Sequence, residues 1–133
     1  MKYLGLDLGT KTLGLSKSYL TIATPYKTLF YSDINVLIDE LISIIKEERI
    51  DELVIGLPKN MNNTSGPATE NIYNFTDLLR NKLDIKIHYE DERLTSVVAN
   101  KMLSDTKANI KKKKKLVDNV AATLILQSFL DRR

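Results

Sequence analysis

The stretch Lys2-Tyr3-Leu4-Gly5-Leu6-Asp7-Leu8-Gly9-Thr10 is followed, two residues on, by Leu13-Gly14-Leu15-Ser16-Lys17-Ser18. Lys2–Leu8 reads as a buried strand, Gly9-Thr10 as a turn and Leu13–Ser18 as a second strand. So short a connection makes an antiparallel hairpin. A third strand is expected near Tyr26–Tyr31. Ser32 or Asp33 then caps a helix whose apolar residues Ile34, Ile38, Leu41 and Ile45 recur at helical spacing.

Beyond this helix the pattern alternates. Leu53–Gly56 is a short buried strand that runs into a polar Asn/Gly/Pro loop, Leu57–Pro67. A helix with Ile72, Phe75, Leu79 and Leu83 on one stripe follows. Ile85–Tyr89 is a fifth strand, and Thr95 caps a short helix through Leu103. The lysine-rich segment Lys107–Lys115 breaks the pattern before a last helix from about Leu116 to Leu130. There Val117, Val120, Leu124 and Phe129 are available for the core. The order predicts an α/β fold with a mixed five-stranded sheet, three antiparallel strands then βαβ units, flanked by helices. With 133 residues and no linker or repeat, one domain spanning 1–133 is expected.

Composition narrows the chemistry. The chain has no cysteine and a single histidine, His88. Disulfides, thiolate zinc sites and cysteine nucleophiles are excluded, and any metal site must rely mainly on oxygen ligands, which favours Mg²⁺ or Mn²⁺. His88 itself reads as a strand residue and not as a catalyst. Neither a signal-peptide core nor a membrane-length apolar stretch is present, so a cytoplasmic location without membrane contact is expected. Residues 1–100 carry 11 Lys+Arg against 14 Asp+Glu, a net of −3, whereas residues 101–133 carry 9 against 3, a net of +6. A polyanionic partner is expected to meet the basic end.

Asp7 is an acidic residue inside an apolar strand. Burying an isolated carboxylate is costly, so it wants hydrogen bonds, a cation or a metal, although an aspartate at a strand end can also simply cap the turn. The fifth strand ends in Tyr89-Glu90-Asp91-Glu92-Arg93, at the end where open α/β sheets present ligands. Asp118 is expected in the first turn of the last helix, where its plain role is to face the helix dipole. Three such carboxylates brought together would repel one another, and two divalent cations would supply the missing charge.

These residues fall in four ordered motifs. Gly5-Leu6-Asp7-Leu8-Gly9-Thr10-Lys11-Thr12-Leu13-Gly14, Ile55-Gly56-Leu57-Pro58, Asp91-Glu92-Arg93-Leu94-Thr95-Ser96 and Val117-Asp118-Asn119-Val120-Ala121-Ala122, the last with Ile125-Leu126-Gln127, span nearly the whole chain. Together they resemble the YqgF (RuvX) family, whose members are described as Holliday junction resolvases and as nucleases maturing the 5′ end of pre-16S rRNA. The resemblance implies an RNase H-like fold and a metal site of Asp7, Glu92 and Asp118. Those residues would be both catalytic and metal-binding, with Mg²⁺ or Mn²⁺ activating water against a phosphodiester. Asp91 competes with Glu92 for the middle place, since adjacent strand residues face opposite ways. The chain departs from the family pattern at Asn62, Asn63 and Ser65, where Asp-Gly and an acidic residue are common. Ser16 also stands where a small apolar residue is usual, a minor packing change.

Two other readings compete. The hairpin also resembles the phosphate turn of actin-like sugar kinases and chaperones, but those need a second domain and a second phosphate loop. A non-catalytic ribosome-assembly factor would gain nothing from buried carboxylates. Within the nuclease reading the partner is pre-rRNA or branched DNA. Branched DNA calls for a homodimer, whereas an RNA end needs only a monomer.

Lys111, Lys112, Lys113, Lys114 and Lys115, with Lys107 before them, are expected to contact phosphates without reading sequence. Arg93 is expected to lock the carboxylates or to join the lysines at phosphate. Neutralising several of the lysines should flatten the log–log salt dependence of duplex binding by ~0.9 for each phosphate that is no longer neutralised. A filter-binding titration across salt concentrations checks this, and an unchanged slope counts against phosphate binding by the lysines.

Overall fold

The computed structural model describes residues 1–58, 67–91 and 110–133; the side chains of 67, 68 and 110–119 lie outside that description. The strands are β1 (Tyr3–Leu8), β2 (Thr12–Tyr19), β3 (Ile22–Phe30), β4 (Glu52–Leu57) and β5 (Lys86–Asp91). Among the described residues three helices accompany them: α1 (Ile34–Glu47), α2 (Pro67–Lys82) and α3 (Ile110–Asp131). The short helix expected from Thr95 to Leu103 lies outside the described residues.

Most of the expected elements form, with shifted ends. Asp33, not Ser32, caps α1, its carboxylate accepting from the Asn35 N–H at 2.8 Å. β3 begins four residues before the expected Tyr26 because Pro25, which argues against a central strand, is tolerated on an outer one. β5 runs to Asp91, two residues past Tyr89. The largest correction is α3, which starts at Ile110, so Lys111–Lys115 continue the helix instead of breaking the pattern. Lysine is a good helix former, and its charge does not override that preference.

The strand order is β3-β2-β1-β4-β5. β1 pairs antiparallel with β2 and parallel with β4, which pairs parallel with β5. The sheet is thus mixed, as the hairpin followed by βαβ units required, and β1 is its middle strand. Pleating sends alternate residues to opposite faces. On one face Leu4, Leu6, Leu13, Leu15 and Ile55 pack against Leu37, Ile38 and Leu41 of α1 and Phe75 and Leu79 of α2. On the other, Tyr3 and Val54 pack with Ile125, Leu126 and Phe129 of α3.

The buried stripe of α3 is Ala121, Ala122, Ile125, Leu126 and Phe129, rotated from the expected Val120 and Leu124, which are only half-buried. The reason lies in the sheet below. A Cβ on Gly5 would sit 2.2 Å from Ser16 Oγ, 2.8 Å from Leu126 Cβ and 2.9 Å from the Ala122 carbonyl oxygen. The helix therefore rests directly on the β1 backbone, with the Ala122 main chain and the Leu126 Cβ against it. Ser16, fully buried beside Gly5 on β2, donates its hydroxyl to the Ala122 carbonyl at 2.7 Å. Ser16 is thus more than the minor packing change expected; it ties α3 to the hairpin across 106 residues of sequence.

Ser16→Ala should cost ~1 kcal/mol, the net worth of one hydrogen bond. Gly5→Ala should cost more, ~2–3 kcal/mol, because two of its three clashes cannot be relieved by turning a hydroxyl. Urea denaturation of both variants gives the order, and a Gly5→Ala variant as stable as the parent would show that α3 is not seated there.

Candidate active site

Asp7 occupies the penultimate position of β1 and shares the pleat phase of Tyr3 and Gly5, which puts it on the α3 face, half-buried. Its partner on β2 is Gly14. On β4 the parallel register pairs Leu6 with Ile55, so Gly56 comes next beside Asp7. The carboxylate is thus flanked on both neighbouring strands by residues without side chains, two strand residues on from the α3 contact at Gly5. The next strand in the same row presents Glu90, which pairs with Gly56.

Sequence reasoning misses Glu90, because it ends β5 at Tyr89. The period-2 signal is nonetheless present: with Ile87 on the α1/α2 face, residue 90 must turn to the α3 face with Asp7. Two strand spacings put it about 10 Å from Asp7. Glu90 is 3% exposed, and the Arg132 guanidinium donates to it at 2.5 Å from the C-terminal end of α3. Burial raises the Glu90 carboxyl above its ordinary value, and the neighbouring Asp91 adds to this, while Arg132 and a backbone N–H donated at Asp91 pull it down. Arg132 therefore compensates Glu90 within the fold.

The other expected residues divide as follows. Asp91 is the last residue of β5, and its pleat phase is that of Ile87 and Tyr89, away from α3. Glu92, Arg93 and Lys107 lie outside the described residues. Asp118 lies in α3, but in the third turn and not the first, since the helix begins at Ile110. A role at the helix dipole is therefore ruled out for it, because that effect is confined to the first turn. Position 118 is one turn before Ala122, the residue over Gly5. Phe129 packs on Tyr3 at 5.3 Å, so α3 runs antiparallel to β1. One helical turn back from Ala122 (~6 Å) and two strand residues on from Gly5 (~6.7 Å) lead to the same end of the sheet, where Asp7 lies.

His88 is a strand residue, as expected. It is hydrogen-bonded to Glu52 at 2.6 Å and packs on Phe129 at 4.6 Å, toward the opposite end of the strands from Asp7. Among the described residues no three His, Asp or Glu side chains gather as a metal site. No helix among them is long and apolar enough to cross a membrane.

The sequence family RuvX, described as Holliday junction resolvase, matches residues 1–132. The chain belongs to the RuvX family. A protein of Oenococcus oeni named "Putative pre-16S rRNA nuclease" is 41% identical, over all of this chain and 96% of its own length. One of Limosilactobacillus reuteri with the same name is 44% identical over 99% of this chain and 94% of its own. The fold matches that of RuvC from Thermus thermophilus, with a TM-score of 0.61 at 12% identity, covering 99% of this chain and 96% of that one. This is the RNase H-like architecture expected for a RuvX chain, with the strand order that sets Asp7 near the carboxyl end of the middle strand.

Because Glu90 has its carboxyl raised in the fold, the native state holds its proton more tightly than the unfolded chain does. Stability from this group is present below its ordinary value of 4.5 and is lost as pH rises through the raised value. Arg132→Ala removes the compensating cation, so the loss should deepen, to ~1–2 kcal/mol at pH 7 and less at pH 5, the mostly exposed guanidinium keeping it modest. Denaturation of the metal-free protein at both pH values reads this, and a pH-independent difference would refute the assignment.

Proposed function

We propose that this chain is a nuclease that hydrolyses a phosphodiester bond of pre-16S rRNA, at a site built on Asp7 and completed by Glu92 and Asp118. The observation that carries the reading is Asp7 itself, an acid on the middle strand flanked by Gly14 and Gly56. Such a carboxylate near the carboxyl end of a middle strand suits a hard cation, and the two glycines beside it add no side chain to crowd a phosphate. Relatives over 40% identical along nearly their whole length, each named "Putative pre-16S rRNA nuclease", supply the substrate class.

The donor set available is oxygen only, which fits Mg²⁺ or Mn²⁺. Bound between Asp7, Glu92 and Asp118, such ions would activate water and stabilise charge on the leaving oxygen. The chain's own part is to hold those carboxylates in place through β1 and α3, and to draw phosphate toward them. Lys111–Lys115, on the same helix as Asp118, provide positive charge for the flanking phosphates. Arg93 adds to that charge or steadies Glu92. No histidine base is needed, and His88 is engaged with Glu52.

The description of the RuvX family, Holliday junction resolvase, names the second reading, resolution of four-way DNA. It would call for two copies of the chain, one for each strand cut.

A pre-rRNA 5′ leader and a four-way DNA junction, each incubated with Mg²⁺ or Mn²⁺, test both. Loss of a residue that merely supports a metal ligand costs 10–100-fold. Asp7→Asn, Glu92→Ala and Asp118→Asn should therefore lower RNA cleavage by more than ~100-fold, and Asp91→Ala much less. Full activity in Asp7→Asn overturns the mechanism, and cleavage of the junction alone transfers the substrate to DNA.

A further inference from the structure

On the face of β1 opposite Asp7, a cavity of about 490 Å³ opens between the start of α1, the side of α2 and the carboxyl ends of β1 and β4. Small-ligand sites fall in the range of ~300–1,000 Å³. Leu8 and Phe75 form its apolar floor, and the turn Gly9-Thr10, directly after Asp7, forms one wall. The Tyr31 ring forms another and is held there, because its hydroxyl donates to the Gly9 carbonyl at 2.6 Å. At the mouth stand Asn71, Asn74 and Leu78, three exposed residues on one stripe of α2.

This lining selects its guest. Among the described residues the lining is apolar and amide, with no lysine or arginine. The apolar floor and fixed aromatic wall suit a flat ring, and two amides at the rim offer both donors and acceptors to its edge. Bases of single-stranded nucleic acid are recognised by this combination of stacking and edge contacts. Leu8 and Asp7 are consecutive and point to opposite faces, so the cavity and the carboxylate lie back to back across the end of one strand.

We propose that this cavity receives an unstacked nucleobase of the substrate, from a nucleotide next to the phosphodiester held at Asp7. The inference rests on the nuclease reading above. It assigns the chain a preference for unpaired nucleotides at the cut, with Asn71 and Asn74 reading the base.

The test uses RNAs spanning the mature 5′ end of 16S rRNA, each with one successive nucleotide made abasic or replaced by 2-aminopurine. Cleavage by the parent chain should fall about tenfold or more when one position beside the cut is abasic, and little elsewhere. In the Leu78→Arg and Asn74→Ala variants, both on the exposed side of α2 and checked for folding by circular dichroism, that position should lose its privilege. Binding is read separately with Asp7→Asn and 2-aminopurine fluorescence, which needs no cleavage. A response confined to one position without any cleavage by the parent keeps the cavity and defeats the nuclease reading. Cleavage with a uniform response along the strand, or with no response, defeats the cavity and keeps the nuclease. Failure to bind these RNAs at all overturns it too.

Discussion

The contact of α3 with the bare backbone at Gly5 is the constraint on which the rest depends. A helix laid on a sheet normally stands off by the length of the side chains between them. Here the ideal Cβ of residue 5 would already overlap Ser16, Leu126 and Ala122, so the helix sits as low as a helix can. The Ser16 hydroxyl converts that closeness into direction, because its hydrogen bond fits only one register of Ala122. Helix and middle strand are then locked in phase, and whatever lies one turn back along α3 is fixed relative to whatever lies two residues on along β1. The proposed active site, drawn from residues more than a hundred positions apart, would need such a lock, because small displacements of reacting groups are costly in rate.

The same row of the sheet carries two acids with different fates. Glu90 is sealed under the end of α3 and answered by Arg132, so its charge is spent within the fold. Asp7 stands between two glycines and nearer solvent. With its guanidinium mostly exposed the pair contributes little net stability, but removing Arg132 leaves the buried Glu90 carboxylate without its cation. Arg132 thus holds the last turn of α3 to β5, the strand that leads into Glu92.

Local pattern carries much of the fold. The hairpin, the stripe of α1 and its Asp33 cap follow from spacing and side-chain chemistry within a few residues. The failures share a cause, since each depends on a distant partner. β3 starts early because its position at the sheet edge tolerates Pro25, and edge position is a property of topology. The α3 stripe is misplaced by pattern alone because larger Val120 and Leu124 outrank Ala121 and Ala122 as core residues until the Ala122 main chain is set against Gly5. Ser16 looks incidental for the same reason. Of the site, Asp7 is legible as an acid in an apolar strand, and the places of Glu92 and Asp118 come from resemblance. Glu90 is hidden only by a strand end set two residues short.

The helical state of Lys111–Lys115 changes what the basic segment can do. A loop could turn every lysine toward one phosphate track, whereas a helix distributes successive positions by about 100° each. Positions 111, 114 and 115 precede Asp118 by seven, four and three residues, the spacings that share a helix side. Positions 112 and 113 fall on other sides. The segment therefore divides into positions in line with position 118 and positions on other sides of the helix. On the proposed site, only the first group would stand next to the cut, and the second would serve encounter, where charge acts over about a Debye length. Substituting the two groups separately should split the two effects: 112 and 113 should change the association rate, while 111, 114 and 115 should also change how long the complex lasts. Stopped-flow binding measures both, and equal effects from the two groups would mean that the lysines act only as a charge cloud.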